Sequence, residues 1–272
     1  MSITITLLFW PKFKILLSIN EKARHSIWPF LIVKPMTPTQ LFEDIHNFCF
    51  TNSNEEIVKK YARYFKEGYD AFGNSQELFL QKIKEITENK ALTIELVYQT
   101  APLLIKTGKY EETSFAIVLL KHFHKTFDEQ TFHHISSWFD IGIENWAHND
   151  VICSELLSVL LLKKNMPYTH FKSWRESERR FKRRAVPVAL IKLLKKTEDF
   201  VSLFNFLEPL MKDNERVVHQ GMGWFLREAW KIQPTVTEEF LLKWKDTAPR
   251  LIFQTATEKM SPIEKERFRK TK

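Results

Sequence analysis

The stretch ERVVHQGMGWFLREAWK, Glu215 to Lys231, sets the terms on which the rest of the chain is read. Val218, Met222, Phe225 and Ala229 recur at i, i+4, i+7 and i+11, which is one face of a helix turning every 3.6 residues. Gln220, Trp224, Arg227 and Lys231 repeat that spacing on a second face, so a polar, aromatic and cationic stripe runs beside the apolar one. Gly221 and Gly223 lie within the helix, where each costs about 1 kcal/mol relative to Ala, and they are read as marks of a close backbone approach.

Outward from this helix the same period continues. Approximate helical spans are 38–51, 55–72, 76–89, 92–106, 111–126, 129–142, 146–163, 174–195, 198–212, 215–231 and 235–246, with a weaker pair to the end. Ser75, Thr197 and Asn214 stand where N-caps belong. At Met36-Thr37-Pro38-Thr39-Gln40 the cap, the proline at the first helical position and the glutamine three residues on form a capping box, and Leu41, Ile45 and Phe48 follow in helical register. Residues 1–35 carry Pro11, Pro29 and Pro35 and no sustained period, so they are expected to be an N-terminal extension outside a domain of residues 36–272. Helices joined by short turns should pair antiparallel, and about six such pairs in a row predict an all-α solenoid of HEAT-like repeats. No consensus recurs at a fixed period, so the repeat is structural more than sequential. Such a stack has a concave face, expected here to be basic.

Composition narrows the classes. The 6 glycines and the scarcity of alternating apolar runs argue against an all-β fold. Cys49 and Cys153 are far apart and form no CxxC, so neither a disulfide framework nor a zinc site is suggested, and a reducing cytoplasm suits the chain. No stretch approaches the roughly 18 apolar residues of a membrane span, and Ile3 to Trp10 lacks the basic leader and small-residue cleavage site of a signal peptide. His122, His124, His133 and His134 are spaced so that side chains two apart diverge on a helix, and no metal site is expected. Phosphate-loop, HExxH and GxSxG motifs are absent.

Three spots hold residues that a packed core does not need. The net charge of +8 permits an anionic partner, and Lys172 to Arg184 concentrates seven basic side chains against two acidic ones. That density is repulsive unless an anion is bound, although a solvated face is the commoner account of a charge run. Trp224 either folds over the rim of the core or stacks on a sugar or base while Arg227 holds phosphate. Asp150, four residues after Trp146, is either the N-cap of a helix starting at Val151 or a carboxylate beside an aromatic wall, suited to stabilising a cationic sugar and orienting water. Spacing alone does not choose.

Taken in order, NWAHND (Asn145 to Asp150), WRESERRFKRRA (Trp174 to Ala185) and GMGWFLREAWKIQP (Gly221 to Pro234) resemble the motifs of the AlkD-type DNA alkylation repair family, the HEAT-like-repeat DNA glycosylases. FKEGYDAFGNS (Phe65 to Ser75) is similar to its early helix-to-glycine segment and KYEETSFAIVLL (Lys109 to Leu120) to its glutamate-containing central helix, so the likeness spans about residues 37–260. Phe181 stands where the family often has tryptophan, and His148-Asn149 fill the central motif unusually. The resemblance implies monofunctional excision of N3- or N7-alkylated purines from duplex DNA by a monomer, with no metal or cofactor. It implies Asp150 at the developing oxocarbenium, Trp146 and Trp224 against the deoxyribose, and Arg184, Arg183 and Arg227 on the DNA backbone; Arg180 and Lys231, in the same basic run and stripe, are expected to bind DNA beside them. The rival readings are a non-catalytic binder of distorted or branched DNA on the same scaffold, and a protein-interaction module.

Overall fold

The computed structural model describes residues 36–66 and 68–271, and the expectation for residues 1–35 lies outside them. Among the described residues there are fourteen α-helices and no strand. They are α1 (Pro38–Thr51), α2 (Glu55–Ala62), α3 (Gln76–Glu88), α4 (Ile94–Lys106), α5 (Tyr110–His122), α6 (Glu129–Ile141), α7 (Trp146–Val151), α8 (Ser158–Lys163), α9 (Arg180–Leu190), α10 (Phe200–Leu207), α11 (Arg216–Trp230), α12 (Pro234–Trp244), α13 (Arg250–Ala256) and α14 (Pro262–Glu266). None is long and apolar enough to cross a membrane.

Local chemistry explains most boundaries. Thr37 Oγ1 accepts from the Gln40 amide at 3.2 Å while Gln40 Oε1 accepts from the Thr37 amide at 3.0 Å, so the box is closed on both sides. Ser75 caps α3 through the Leu78 amide. The other two expected caps move by a residue or two: Asp199, not Thr197, caps α10, and α11 follows Glu215, which makes no side-chain cap bond, instead of Asn214. Three helices are shorter than their periodicity suggests. The 55–72 span stops at Ala62, and residues 63–66 and 68–75 are not helical, with Gly73 at φ +82°. The 146–163 span is broken by a π-helical turn, Ile152–Leu157, whose wider winding buries Ile152, Cys153, Leu156 and Leu157 together. The 174–195 span opens in a 3-10 turn, Ser173–Glu176, becomes α-helical only from Arg180 to Leu190 and closes in another, Ile191–Lys195; with the 3-10 turn Tyr168–Phe171 just before it, Phe171 and Trp174, three apart, both turn into the core.

Packing follows a simple order. α5 meets α7, α7 meets α9, α9 meets α11 and α11 meets α13, while α4 packs on α6 and α10 on α12. Alternate helices are therefore neighbours in two layers, the arrangement of a helical-repeat solenoid. The apolar stripe of α11, Val218, Met222, Phe225 and Ala229, is wholly buried, and the core continues through Phe115, Trp138, Trp174, Phe181 and Phe253. The three unusual spots of the sequence lie on α7, α9 and α11, which are consecutive rungs of one layer.

Candidate active site

Asn145 begins the first rung: its side chain accepts from the His148 amide at 2.9 Å, so α7 starts at Trp146. Asp150 therefore sits inside the helix, one turn beyond Trp146, and the reading of Asp150 as an N-cap is overturned. The two residues just before it, His148 and Asn149, point inward. Asn145 Nδ2 donates to His148 Nδ1 at 2.8 Å, which puts the ring proton on Nε2, where the Tyr110 carbonyl and Ser114 Oγ both lie at 3.0 Å. Burial pushes the His148 imidazole down to about 3, so it is a neutral strut between α7 and α5. Asn149 is fully buried, and its Nδ2 donates to Asp150 Oδ1 at 2.7 Å while its own Oδ1 has no partner.

The carboxylate so aimed is gripped from the next rung. Arg184 Nε donates to Asp150 Oδ1 at 3.1 Å and Nη2 to Oδ2 at 2.9 Å, a planar fork of the strong bidentate kind. The third nitrogen, Nη1, donates to the Val217 carbonyl of α11 at 2.8 Å. One buried guanidinium thus ties α7, α9 and α11 together, and Asp150 keeps 14% of its side chain open against 7% for Arg184. Cys153 is packed beneath them against the Ala185 carbonyl, and burial drives its thiol well up, which makes it inert.

Four more cations of the basic run, Arg179, Arg180, Lys182 and Arg183, are likewise met by carboxylates of the protein. Arg183 forks onto Asp213 at 2.6 and 3.2 Å and also donates to the carbonyls of Ser177 and Glu178; Lys182 reaches Asp140 at 2.7 Å; Arg179 lies 3.8 Å from Glu144 and Arg180 3.9 Å from Glu215. Two expectations need correcting. The run does not require an external anion, because carboxylates from other segments supply the counter-charge. Arg183 and Arg184 have their donors turned inward to Asp213 and Asp150, so neither presents a free fork to a phosphate. Arg180 is half-buried and held only at the longer distance. A shallow notch of about 190 Å³, lined by Ile143, Glu144, Glu178, Arg179, Arg180, Phe181 and Glu215, opens beside it and does not include Asp150.

Trp146 belongs to an aromatic wall. Its indole N–H donates to the Tyr64 carbonyl at 3.3 Å and its ring stacks on Phe65, which in turn stacks on Tyr69 and meets Tyr110 edge-on. Tyr110 stacks on His148 at 4.5 Å between centroids, and burial pushes its phenol up to about 12. The loop that supplies Phe65 and Tyr69 is anchored by Glu111, a buried carboxylate at the start of α5. It accepts from the amides of Phe72 at 2.8 Å, Gly73 at 2.7 Å and Asn74 at 3.2 Å. A side chain at Gly73 would lie 2.1 Å from the Asn54 carbonyl oxygen, so glycine is required there.

On α11, Val217, Gly221 and Trp224 share one face at i, i+4 and i+7, and that face meets Arg184. A Cβ on Gly221 would lie 3.2 Å from Arg184 Cγ, and one on Gly223 would lie 2.7 Å from the Ile252 carbonyl oxygen. The close approach expected of these glycines is real, but it is helix against helix. Trp224 is half-buried against the core edge. Arg227 is engaged by Glu258 and by Glu228 at 3.3 Å, and Lys231, exposed, pairs with the same Glu228 at 2.7 Å.

Four contributors were given no role from sequence: Asn149 and His148, noted only as an unusual filling of the motif, and Glu111 and Phe65. All lay inside quoted segments, and the only signal was a polar residue falling where a helix turns its buried side. The partners that reveal them lie far off in the chain, as Trp146 does from Phe65 and Tyr110 from His148.

A family model described as DNA alkylation repair enzyme matches residues 51–260. Among solved structures, the chain is similar to a predicted DNA alkylation repair enzyme from Enterococcus faecalis, with a TM-score of 0.66 at 19% identity, covering 78% of this chain and 98% of that one. It is also similar to smu.31 from Streptococcus mutans UA159, with a TM-score of 0.51 at 16% identity, covering 75% and 100%. At such identities these two speak for the fold alone. No curated protein matches. Since the family model spans far more than half of the sequence, the chain belongs to the DNA alkylation repair enzyme family.

Proposed function

We propose that this protein is a monofunctional DNA glycosylase that hydrolyses the N-glycosidic bond of N3- or N7-alkylated purines in duplex DNA, acting as a monomer without metal or cofactor. One observation carries the reading: a carboxylate oriented by three donors, yet not wholly covered, stands one helical turn from an aromatic wall. In the reaction the C1′–N9 bond of an N7-alkylpurine (C1′–N9 again for an N3-adduct) breaks with its electron pair going to the base, which leaves neutral because alkylation had made it cationic. The sugar is left as an oxocarbenium ion. Asp150 stabilises that charge as it develops, water adds to C1′, and the proton it loses has the same carboxylate as an acceptor at hand. Trp146 and Trp224 flank the sugar. Arg184 positions the carboxylate, while Arg180, Arg227 and Lys231 remain the residues proposed for the backbone nearby.

A second reading, a non-catalytic binder of distorted or branched DNA, is favoured by the fact that both Asp150 oxygens already accept protein hydrogen bonds. Release of free base separates the two. Asp150→Asn removes the counter-charge of buried Arg184 and should melt earlier; below its melting point, in single turnover on N7-methylguanine duplex, it should still bind like the parent and release base about tenfold more slowly or worse, the effect of about 1.4 kcal/mol lost from the transition state. An unchanged rate would sink the mechanism, and no release by the parent would leave the binder.

A further inference from the structure

The net charge of +8 is not explained by the arginines around the site, because Asp140, Glu144, Asp150, Asp213 and Glu215 meet them. Further basic charge lies at the other end of the same rungs. α5 carries Lys121 in its last turn, with Lys125 just beyond; α8 ends at Lys163, followed by Lys164; the 3-10 turn after α9 carries Lys192 and Lys195, followed by Lys196. Their mutual contacts join these ends into one edge. Lys164 Nζ donates to the Lys125 carbonyl at 2.7 Å, Lys121 and Lys192 flank Glu155 at 2.8 and 3.6 Å, and α8 packs on the turn after α9. Lys125, Lys163, Lys195 and Lys196 are exposed, and no carboxylate of the described residues pairs with them.

A cation at a helix C-terminus complements the dipole and is worth about 0.3–1 kcal/mol, which accounts for one lysine per rung. It does not account for the doubled lysines at 163–164 and 195–196, whose mutual repulsion opposes folding unless an anion is present. At about 1.5 Å per residue the edge lies roughly 15–20 Å from Asp150 and Arg184 along their own helices. Rungs are about 8–10 Å apart, so three of them run beside roughly six phosphates of one strand.

We propose that this lysine edge is the surface that tracks the phosphate backbone of the duplex flanking the lesion, an inference that rests on the protein's acting on DNA. Most of the sequence-independent grip then comes from the edge, while the α7, α9 and α11 site acts on the sugar and holds only the backbone beside it.

The test replaces Lys125, Lys163, Lys195 and Lys196 together by glutamine and measures binding to an undamaged duplex against salt concentration. Every substituted side chain is exposed and repulsion within the pairs is relieved, so melting should be no lower than the parent's. A matched control replaces Lys84, Lys90, Lys106 and Lys270, which removes the same charge elsewhere. The edge variant should bind about tenfold more weakly or worse near 0.1 M salt, with the slope of log K against log salt shallower by about 0.9 for each phosphate no longer neutralised, and the control should change much less. Equal losses in both variants, or none in the edge variant, would overturn the inference while leaving the glycosylase reading intact. A parent that does not bind duplex at all would overturn both.

Discussion

Glu111 on α5 and Asp150 on α7 stand on neighbouring rungs, and each accepts three hydrogen bonds, but from donors of different kinds. Those of Glu111 are backbone amides of Phe72, Gly73 and Asn74, set by the chain itself; those of Asp150 are the side chains of Arg184 and Asn149. Glu111 is closed off, whereas Asp150 retains an open edge. Amides that no side-chain motion can redirect make an anchor. A carboxylate aimed by other side chains can be re-aimed by altering them, which is what a reacting group with a supporting shell looks like.

Removing Glu111 should therefore do the most damage to the fold. Glu111→Ala leaves three amides without their acceptor, and at about 1–3 kcal/mol for each buried group left unpaired the expected loss is about 4 kcal/mol or more. Denaturant titration measures it. A loss under about 1 kcal/mol would mean that water replaces the carboxylate and that residues 65–75 hold themselves.

Arg184 comes next, and it probes the other side of the comparison. Breaking a buried pair by removing one partner costs about 3 kcal/mol or more, because Asp150 keeps its charge without a counter-ion. Arg184→Ala should lower the melting temperature and slow base release, yet leave the salt dependence of duplex binding as in the parent. A shallower salt slope with unchanged melting would return Arg184 to the phosphate-binding role that the family resemblance implies.

These two cases also mark what is legible in the chain alone. The box at Thr37 and the stripe from Val218 to Ala229 are legible because cap, turn and apolar face are all encoded within a few residues. The ion pairs of Arg183 and Arg184 are not, since Asp213 and Asp150 lie 30 and 34 residues away and a local count of charge sees only the arginines. The end of the 55–72 span, from Arg63 on, reads as helix for the same reason: the amides that follow it are satisfied by a carboxylate about forty residues on, so periodicity there describes the aromatic wall and not the backbone. Asp150 and Trp146 can be picked out as residue types in an unusual place, but their surroundings decide whether the pair is a cap or a site.

His148 couples the two carboxylates, since it sits on α7 beside Asp150 and donates to the carbonyl preceding Glu111. Its folded pKa of about 3 lies below the unfolded value near 6.5, so the unfolded chain binds the extra proton between those limits. Stability therefore rises with pH across that window and is lost as pH falls through it. Between pH 6.5 and 5 the loss from this residue is about 2 kcal/mol. Melting curves of the parent and of His148→Gln over that range should converge at low pH, and parallel curves would show that the buried imidazole accepts its proton without penalty.

The smallest expected effect is the most discriminating, and it concerns the two glycines of α11. Gly223→Ala would place a Cβ 2.5 Å from Thr255 Cβ and 2.7 Å from the Ile252 carbonyl oxygen, so α13 must move, at a cost of about 1–3 kcal/mol. Gly221→Ala meets Arg184 Cγ at 3.2 Å, the Arg184 carbonyl oxygen at 3.3 Å and Val188 Cγ2 at 3.4 Å, approaches that need only a few tenths of an ångström of relief. Helix propensity returns about 1 kcal/mol to either substitution, so Gly221→Ala should change stability by less than about 1 kcal/mol in either direction. The atom it displaces, however, belongs to the side chain that aims Asp150. If the carboxylate acts through its aim, Gly221→Ala should slow single-turnover base release severalfold in a protein that melts like the parent, while Gly223→Ala should melt earlier and react at the parental rate per folded molecule. Loss of rate in proportion to stability in both variants would mean that α11 supports the site only by being folded, and that the Arg184 side chain yields to the added methyl without turning its fork on Asp150.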